Sequence, residues 1–145
     1  MGRYYSYSLV VSQFICIGLL LYLNQTMFTK PMPLILFMLG IGFFLYTLLY
    51  NRLSNFNIIP DIKENATLIT TGAYKYIRHP MYFAVIITMF APLINTFNFT
   101  NIFICSVLSM TLFLKAKKEE GLWSEESKEY REYKLETKMI IPFCF

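Results

Sequence analysis

The chain has 145 residues, 56% of them hydrophobic and 18% aromatic, with only 15% charged and a net charge of +4. Soluble domains carry about 25% charged residues, so this composition excludes an ordinary soluble domain, and the length suits a single membrane domain, residues 1–145. Cys16, Cys105 and Cys144 form no even-numbered disulfide framework and show no metal-ligand spacing, and with one histidine and no Cys pair no metal site is expected.

Residues 4–29 carry no charge, and the first membrane span is expected at about 7–28; a span needs roughly 20 residues. No small-x-small cleavage site follows, which favours a retained helix over a signal peptide. Gln13, mid-span, reads as a helix–helix contact. A second uncharged run gives a second span at about 33–50, with Gly40 and Gly42 allowing close packing. Residues 51–71, polar and containing Pro60 and Asp61, read as an irregular loop.

The stretch Leu68–Tyr82, LITTGAYKYIRHPMY, turns from polar to apolar and holds the only histidine. Proline at 80 disfavours helical geometry at His79 and suits the first turn of a following helix. Arg78 and His79 therefore stand at a helix mouth, where backbone N–H groups and the helix dipole favour an anion. Gly72 permits a tight turn, and Tyr74, Tyr76 and Tyr82 bring three aromatic faces. A plain interfacial belt of Tyr, Arg and Lys is the competing reading of these residues.

From Pro80 to Leu114 no residue is charged. As one helix those residues would run about 52 Å, well beyond a bilayer core of about 30 Å, so they must fold back. Pro92, Asn95, Asn98, Thr100 and Asn101 mark the turn, giving a third span at 80–95 and a fourth at 97–114. Residues 115–138 are dense with charge, with Leu122, Trp123, Tyr130 and Tyr133 near helical spacing. They read as an amphipathic helix at the membrane surface. The expected fold is all-α: a polytopic membrane protein with four transmembrane helices and a C-terminal interfacial amphipathic helix.

Of the 13 lysines and arginines, all but Lys30 then fall on one side, placing both termini and the 51–79 loop in the cytoplasm. That placement accounts for the positive charge without nucleic acid. The start MGRYYS fits a myristoylation signal in form, and Asn24, Asn65 and Asn98 each open an N-x-[ST] triplet. Both are discounted, since four spans already anchor the chain.

The fourth span leads into Glu119-Glu120, and a hairpin sets these beside Arg78-His79. Glu120 lies over Ala116 on the apolar side, and Glu119 is in reach of Lys115 one turn back. Solvated helix-end carboxylates are the alternative. LITTGAYKYIRHPMY, the acidic pair and EYREYKLETKMIIPF at 129–143 together resemble the isoprenylcysteine carboxyl methyltransferase family, allied to the phospholipid methyltransferases, over roughly 60–143. The first two spans match in kind only.

The resemblance implies S-adenosylmethionine as cofactor, bound by Tyr76, His79, Pro80, Tyr82, Glu119 and Glu120. It implies a lipid or lipidated acceptor held by Arg78, Trp123, Tyr130 and Arg131, with Arg78 and Glu120 catalytic. The chemistry of the residues agrees. A cofactor carboxylate suits a helix mouth with Arg or His, its positive charges suit Glu and aromatic faces, and its ribose suits a carboxylate acceptor. Ala73, Ala84, Ser127, Glu136 and Lys138 depart from the family pattern, the last three in the stretch expected to meet the acceptor. An NADPH-dependent reductase of the sterol-reductase type and a non-enzymatic four-helix membrane protein are the rival readings. A monomer or a homodimer is compatible with the sequence.

Overall fold

The structure is a computed structural model that describes residues 3–51, 55–62 and 66–142. Met1, Gly2, Asn65 and Cys144, on which some of the motif readings fall, lie outside the described residues. Among the described residues five α-helices follow one another: α1 (Arg3–Leu23), α2 (Pro31–Tyr50), α3 (Pro80–Asn95), α4 (Phe99–Glu126) and α5 (Lys128–Glu136). Among the described residues the only β pairing is a single bridge between Ile77 and Lys138. α1, α2 and α4 are long and apolar enough to cross a membrane; α3 is apolar but has 16 residues.

The helix limits differ from expectation at three places, each for a local reason. α1 begins at Arg3 and ends at Leu23, and Gln25–Thr29 forms a 3-10 turn. Asn24 turns its side chain inward to donate to the Leu20 carbonyl at 2.9 Å, an alternative to continuing the helix. Pro92 lies within the last turns of α3, while the chain reversal itself occupies residues 96–98. Asn98 caps α4 by accepting from the Asn101 backbone N–H at 2.8 Å. The expected surface helix at 115–138 is two pieces. Residues 115–126 prolong α4, and Ser127 leaves helical geometry (φ −131°, ψ 124°) to cap α5 through the Tyr130 N–H.

α2 packs along α3 and α1 along α4, whereas the sequential pair α3 and α4 meets more sparingly. Gly40 permits the α2–α3 approach: a Cβ there would lie 2.2 Å from Thr88 Oγ1. Gly42, read from sequence as a second packing glycine, has nothing within 4 Å of its would-be Cβ. Cys16 and Leu20 of α1 join Met89 of α3 and Ile104, Leu108 and Leu112 of α4 in the core. At the reversal end, Asn24 and Asn101 donate to each other's carbonyl oxygens at 3.1 and 3.0 Å, which satisfies buried amides that apolar neighbours would leave costly. Toward the other end, Ser12 bonds Thr111 at 3.0 Å and the Lys115 ammonium donates to Gln13 at 2.7 Å, joining α1 to α4 as the mid-helix Gln implied.

Residues 55–62 and 66–71 of the 51–71 segment lie over this second end. Asn55 exchanges two hydrogen bonds with the Thr67 backbone, at 2.8 and 3.1 Å, and so closes the loop on itself. Lys118 pairs with Asp61 and also bonds Ser6, and Lys115 donates to the Ile58 carbonyl at 2.9 Å. The loop is thereby fixed to both α1 and α4.

Candidate functional site

The site is built at the mouth of α3. Gly72 adopts φ +63°, a left-handed conformation that side chains rarely take, and a Cβ there would lie 2.7 Å from the Tyr50 ring. The following 3-10 turn, Gly72–Lys75, sends Tyr74 inward. His79 sits outside helical geometry at φ −123°, ψ 60°, and Pro80 opens α3 as its fixed φ and missing N–H favour. The backbone here is clamped by the C-terminal segment. Arg78 N–H donates to the Lys138 carbonyl at 2.9 Å, His79 N–H to Met139 at 3.0 Å, and Lys138 N–H to Tyr76 at 3.1 Å.

Side chains from α3, α4 and α5 converge on this mouth. Arg78 Nε donates to Glu120 Oε1 at 2.5 Å, and its Nη1 bonds the carbonyl oxygens of Lys134 (3.2 Å) and Thr137. Glu120, 1% exposed, also faces His79 Nε2 at 3.6 Å, with Lys134 Nζ 2.8 Å from Oε2 as an ion pair off the hydrogen-bond angle. Glu119 does not reach back to Lys115. It accepts from the Tyr82 hydroxyl and lies 3.4 Å from His79 Nδ1. The Tyr82 and His79 rings stack, with centroids 5.4 Å apart and planes 9° from parallel. The anions at this helix mouth are thus the chain's own two carboxylates.

A cavity of about 320 Å³, within the usual range for small-molecule sites, opens beside them. Arg78, His79, Tyr82, Glu119, Trp123 and Tyr130, all anticipated, line it. Glu120 and Pro80 are buried and do not line it, so Glu120 acts behind the wall, through Arg78 and His79. Tyr76 is 55% exposed and points elsewhere. Arg131 donates to the Ser124 carbonyl and borders a separate outer groove with Lys134 and Lys138.

The α5 aromatics, whose spacing suggested a helix at the membrane surface, pack against other aromatic residues of the protein. Trp123 stacks on Tyr130 (5.7 Å, 22°), Tyr130 meets Tyr133 edge-on (5.9 Å), and the Tyr133 hydroxyl donates to the Tyr74 carbonyl. Buried hydroxyls need such partners, which lipid lacks. Leu135, almost fully exposed, is the apolar residue α5 turns outward.

Several lining residues were not expected in the site from the sequence. Tyr133, Gln13 and Lys115, noted there only as packing or surface residues, join the site by helix packing, and loop residues such as Asn57 and Ile59 line it as well.

The electrostatics follow from burial and pairing. Burial alone would raise the Glu120 carboxyl, but the close cations of His79, Arg78 and Lys134, Arg78 hydrogen-bonded to it, outweigh that and hold it down to about 2. Burial acts to lower His79, yet hydrogen bonds and charge from Glu119 and Glu120 carry it above its ordinary value, so the imidazolium is favoured. Burial raises the Tyr74 and Tyr130 phenols, and takes Tyr133 up to about 12, keeping all three as neutral donors.

The apolar helices thus carry an aromatic, carboxylate-bearing cavity at their charged end, and the family of membrane methyltransferases that the chain matches gives the class. The chain belongs to the isoprenylcysteine carboxyl methyltransferase (ICMT) family: the family model matches residues 33–124, from α2 through Ser124. The match therefore takes in α2, which had looked similar in kind only, and stops before 129–143. No curated protein matches the chain.

Proposed function

We propose that the chain is an S-adenosylmethionine-dependent methyltransferase acting on a lipid-borne acceptor, an isoprenoid-linked carboxylate or phospholipid-type headgroup, at the cytoplasmic membrane face. α3 crosses the membrane as a fourth, short span, both termini are cytoplasmic, and the chain works as a monomer or homodimer. The observation that carries this reading is Glu119: its carboxylate is 22% exposed, lines the cavity, and is oriented by Tyr82 and by a histidine favoured as its cation.

The residues fit the cofactor. Tyr74, Tyr82, Trp123 and Tyr130 offer aromatic faces to a positively charged group. Glu119 supplies an acceptor for hydroxyl or ammonium donors. S-adenosylmethionine, when bound, supplies a methyl group activated by its sulfonium charge. Arg78 and Glu120 fix the wall, so that the acceptor is held in line, and such positioning supplies most of the rate in a transfer needing little acid–base help. Arg78 reaches the cavity with Nε and Nη1 already engaged, which leaves Nη2 for a ligand. Glu120, held ionised by three cations, is a poor base; Glu119 is the group to take a proton from an amine acceptor. Phe14 of α1 lines the cavity while being 53% exposed on the apolar outer surface, which supports sideways arrival of an acceptor whose tail stays in lipid.

Calorimetry of the detergent-purified chain, with S-adenosylhomocysteine and NADPH as separate titrants, tests the reading. Micromolar binding of S-adenosylhomocysteine alone is expected. Binding of NADPH alone transfers the case to a reductase, and binding of neither by folded protein removes the cofactor site.

A further inference from the structure

Lys115 is a buried ammonium with no carboxylate in ion-pair contact, the Glu119 charge acting on it only from farther off. It is 2% exposed, on α4 where the uncharged run of residues 80–114 ends. Two of its three donors go to neutral oxygens, Gln13 Oε1 at 2.7 Å and the Ile58 carbonyl at 2.9 Å, and its Nζ lies 5.4 Å from the Tyr82 ring centre. Among the described residues no carboxylate lies within ion-pair distance of it, whereas Arg78, Lys118 and Lys134 each have one. Lys115, Gln13, Ile58 and Tyr82 all line the cavity. Next to them stand Phe14, Ile17, Phe44 and Val85, so this corner joins the polar wall to the apolar part of the cavity.

An ammonium taken out of water is costly unless an anion meets it. Among the described residues no carboxylate meets it within ion-pair distance, and Lys115 lines the cavity that a ligand would fill. We propose that Lys115, backed by Gln13, anchors a carboxylate of a ligand in this cavity, and so selects acid-bearing ligands over amine-bearing ones. The inference rests on the methyltransferase reading for what enters the cavity, and deepens it. The carboxylate has two sources, the amino-acid end of the cofactor or the head of the lipid-borne acceptor. A single lysine with one amide suits a monoanion from either.

The test uses the full chain in detergent and two matched probe pairs, read by calorimetry. One pair is S-adenosylhomocysteine and its decarboxylated analogue; the other is an N-acetylated isoprenylcysteine and its carboxamide. Lys115→Gln removes the charge. Lys115→Arg keeps it and is expected to keep the preference. Gln13→Glu offers Lys115 an internal carboxylate, and serves if Lys115→Gln does not fold.

A wild-type preference for one of the acids that falls by about tenfold or more in Lys115→Gln and Gln13→Glu is expected, in line with loss of a hydrogen bond to a charged group. Loss within the cofactor pair assigns the carboxylate to the cofactor, and loss within the isoprenylcysteine pair assigns it to the acceptor. Both preferences unchanged in the variants overturn the proposal and leave Lys115 as a tie to the loop at Ile58. A wild-type chain that binds neither probe pair overturns the methyltransferase reading itself, and the anchor with it.

Discussion

Replacing Glu120 by Gln is expected to destabilise the protein without touching the cavity wall directly. The side chain is 1% exposed and sits among Arg78 Nε at 2.5 Å, Lys134 Nζ at 2.8 Å and His79 Nε2 at 3.6 Å. Gln keeps the shape and one acceptor but removes the charge those three groups share. Its folded-state value lies below the ordinary 4.5, at about 2, so its contribution is present above pH 4.5 and is lost as pH falls toward 2. That drop corresponds to about 3 kcal/mol at neutral pH. The same order follows from the about 3–5 kcal/mol that breaking a buried ion pair costs. For a chain of this size the melting temperature should fall by about 10 °C. Trp123, the only tryptophan, stacks on Tyr130 beside the site, so its fluorescence reports the melting of this region. Glu119→Gln is the control. Partly exposed and lining the cavity, it should cost under about 1 kcal/mol in stability but weaken S-adenosylhomocysteine binding at least tenfold. An unchanged melting temperature for Glu120→Gln, or equal stability losses for both variants, would refute the division between a structural and a ligand-facing carboxylate.

Gly40→Ala should destabilise by about 1–3 kcal/mol or more by forcing α2 from α3 at Thr88, while Gly42→Ala should be neutral; thermal melts of the two variants side by side decide it. His79 is raised in the folded state, so its stabilising contribution is complete below about pH 6.5 and disappears as pH rises through the folded value. Melting temperature should therefore decline on the alkaline side, and His79→Gln should flatten that decline; parallel profiles for the two proteins would contradict the assignment. Arg78→Lys cannot hold Glu120 and the Thr137 carbonyl together, and should loosen the C-terminal clamp by about 2 kcal/mol, visible as faster amide exchange at His79 and Lys138.

The sequence by itself determined the apolar segments and the polar end at which the chemistry would gather. Uncharged runs can satisfy their backbone only as helices when buried in lipid or in one another, and that requirement is written in composition. Local signals were legible for the same reason, since they depend on near neighbours: Pro80 opening α3, Asn98 marking the reversal before α4, Gly72 permitting the tight turn. The juxtaposition of Arg78-His79 with Glu119-Glu120 followed from the short reversal between α3 and α4.

Only the tertiary structure decided which carboxylate faces the cavity. One helical step, about 100°, separates Glu119 from Glu120, and the orientation of α4 against α3 and α5 sets which turns inward. It also decided what the Trp123, Tyr130 and Tyr133 face packs against, the Tyr133 hydroxyl finding its partner at the Tyr74 carbonyl. The Lys115–Gln13 bond spans 102 positions of sequence, and Arg78 meets Thr137 across 59. No local pattern encodes such pairs. They exist because α1 packs on α4 and the C-terminal segment lies along residues 76–79, and packing of whole helix faces chooses partners that sequence distance does not.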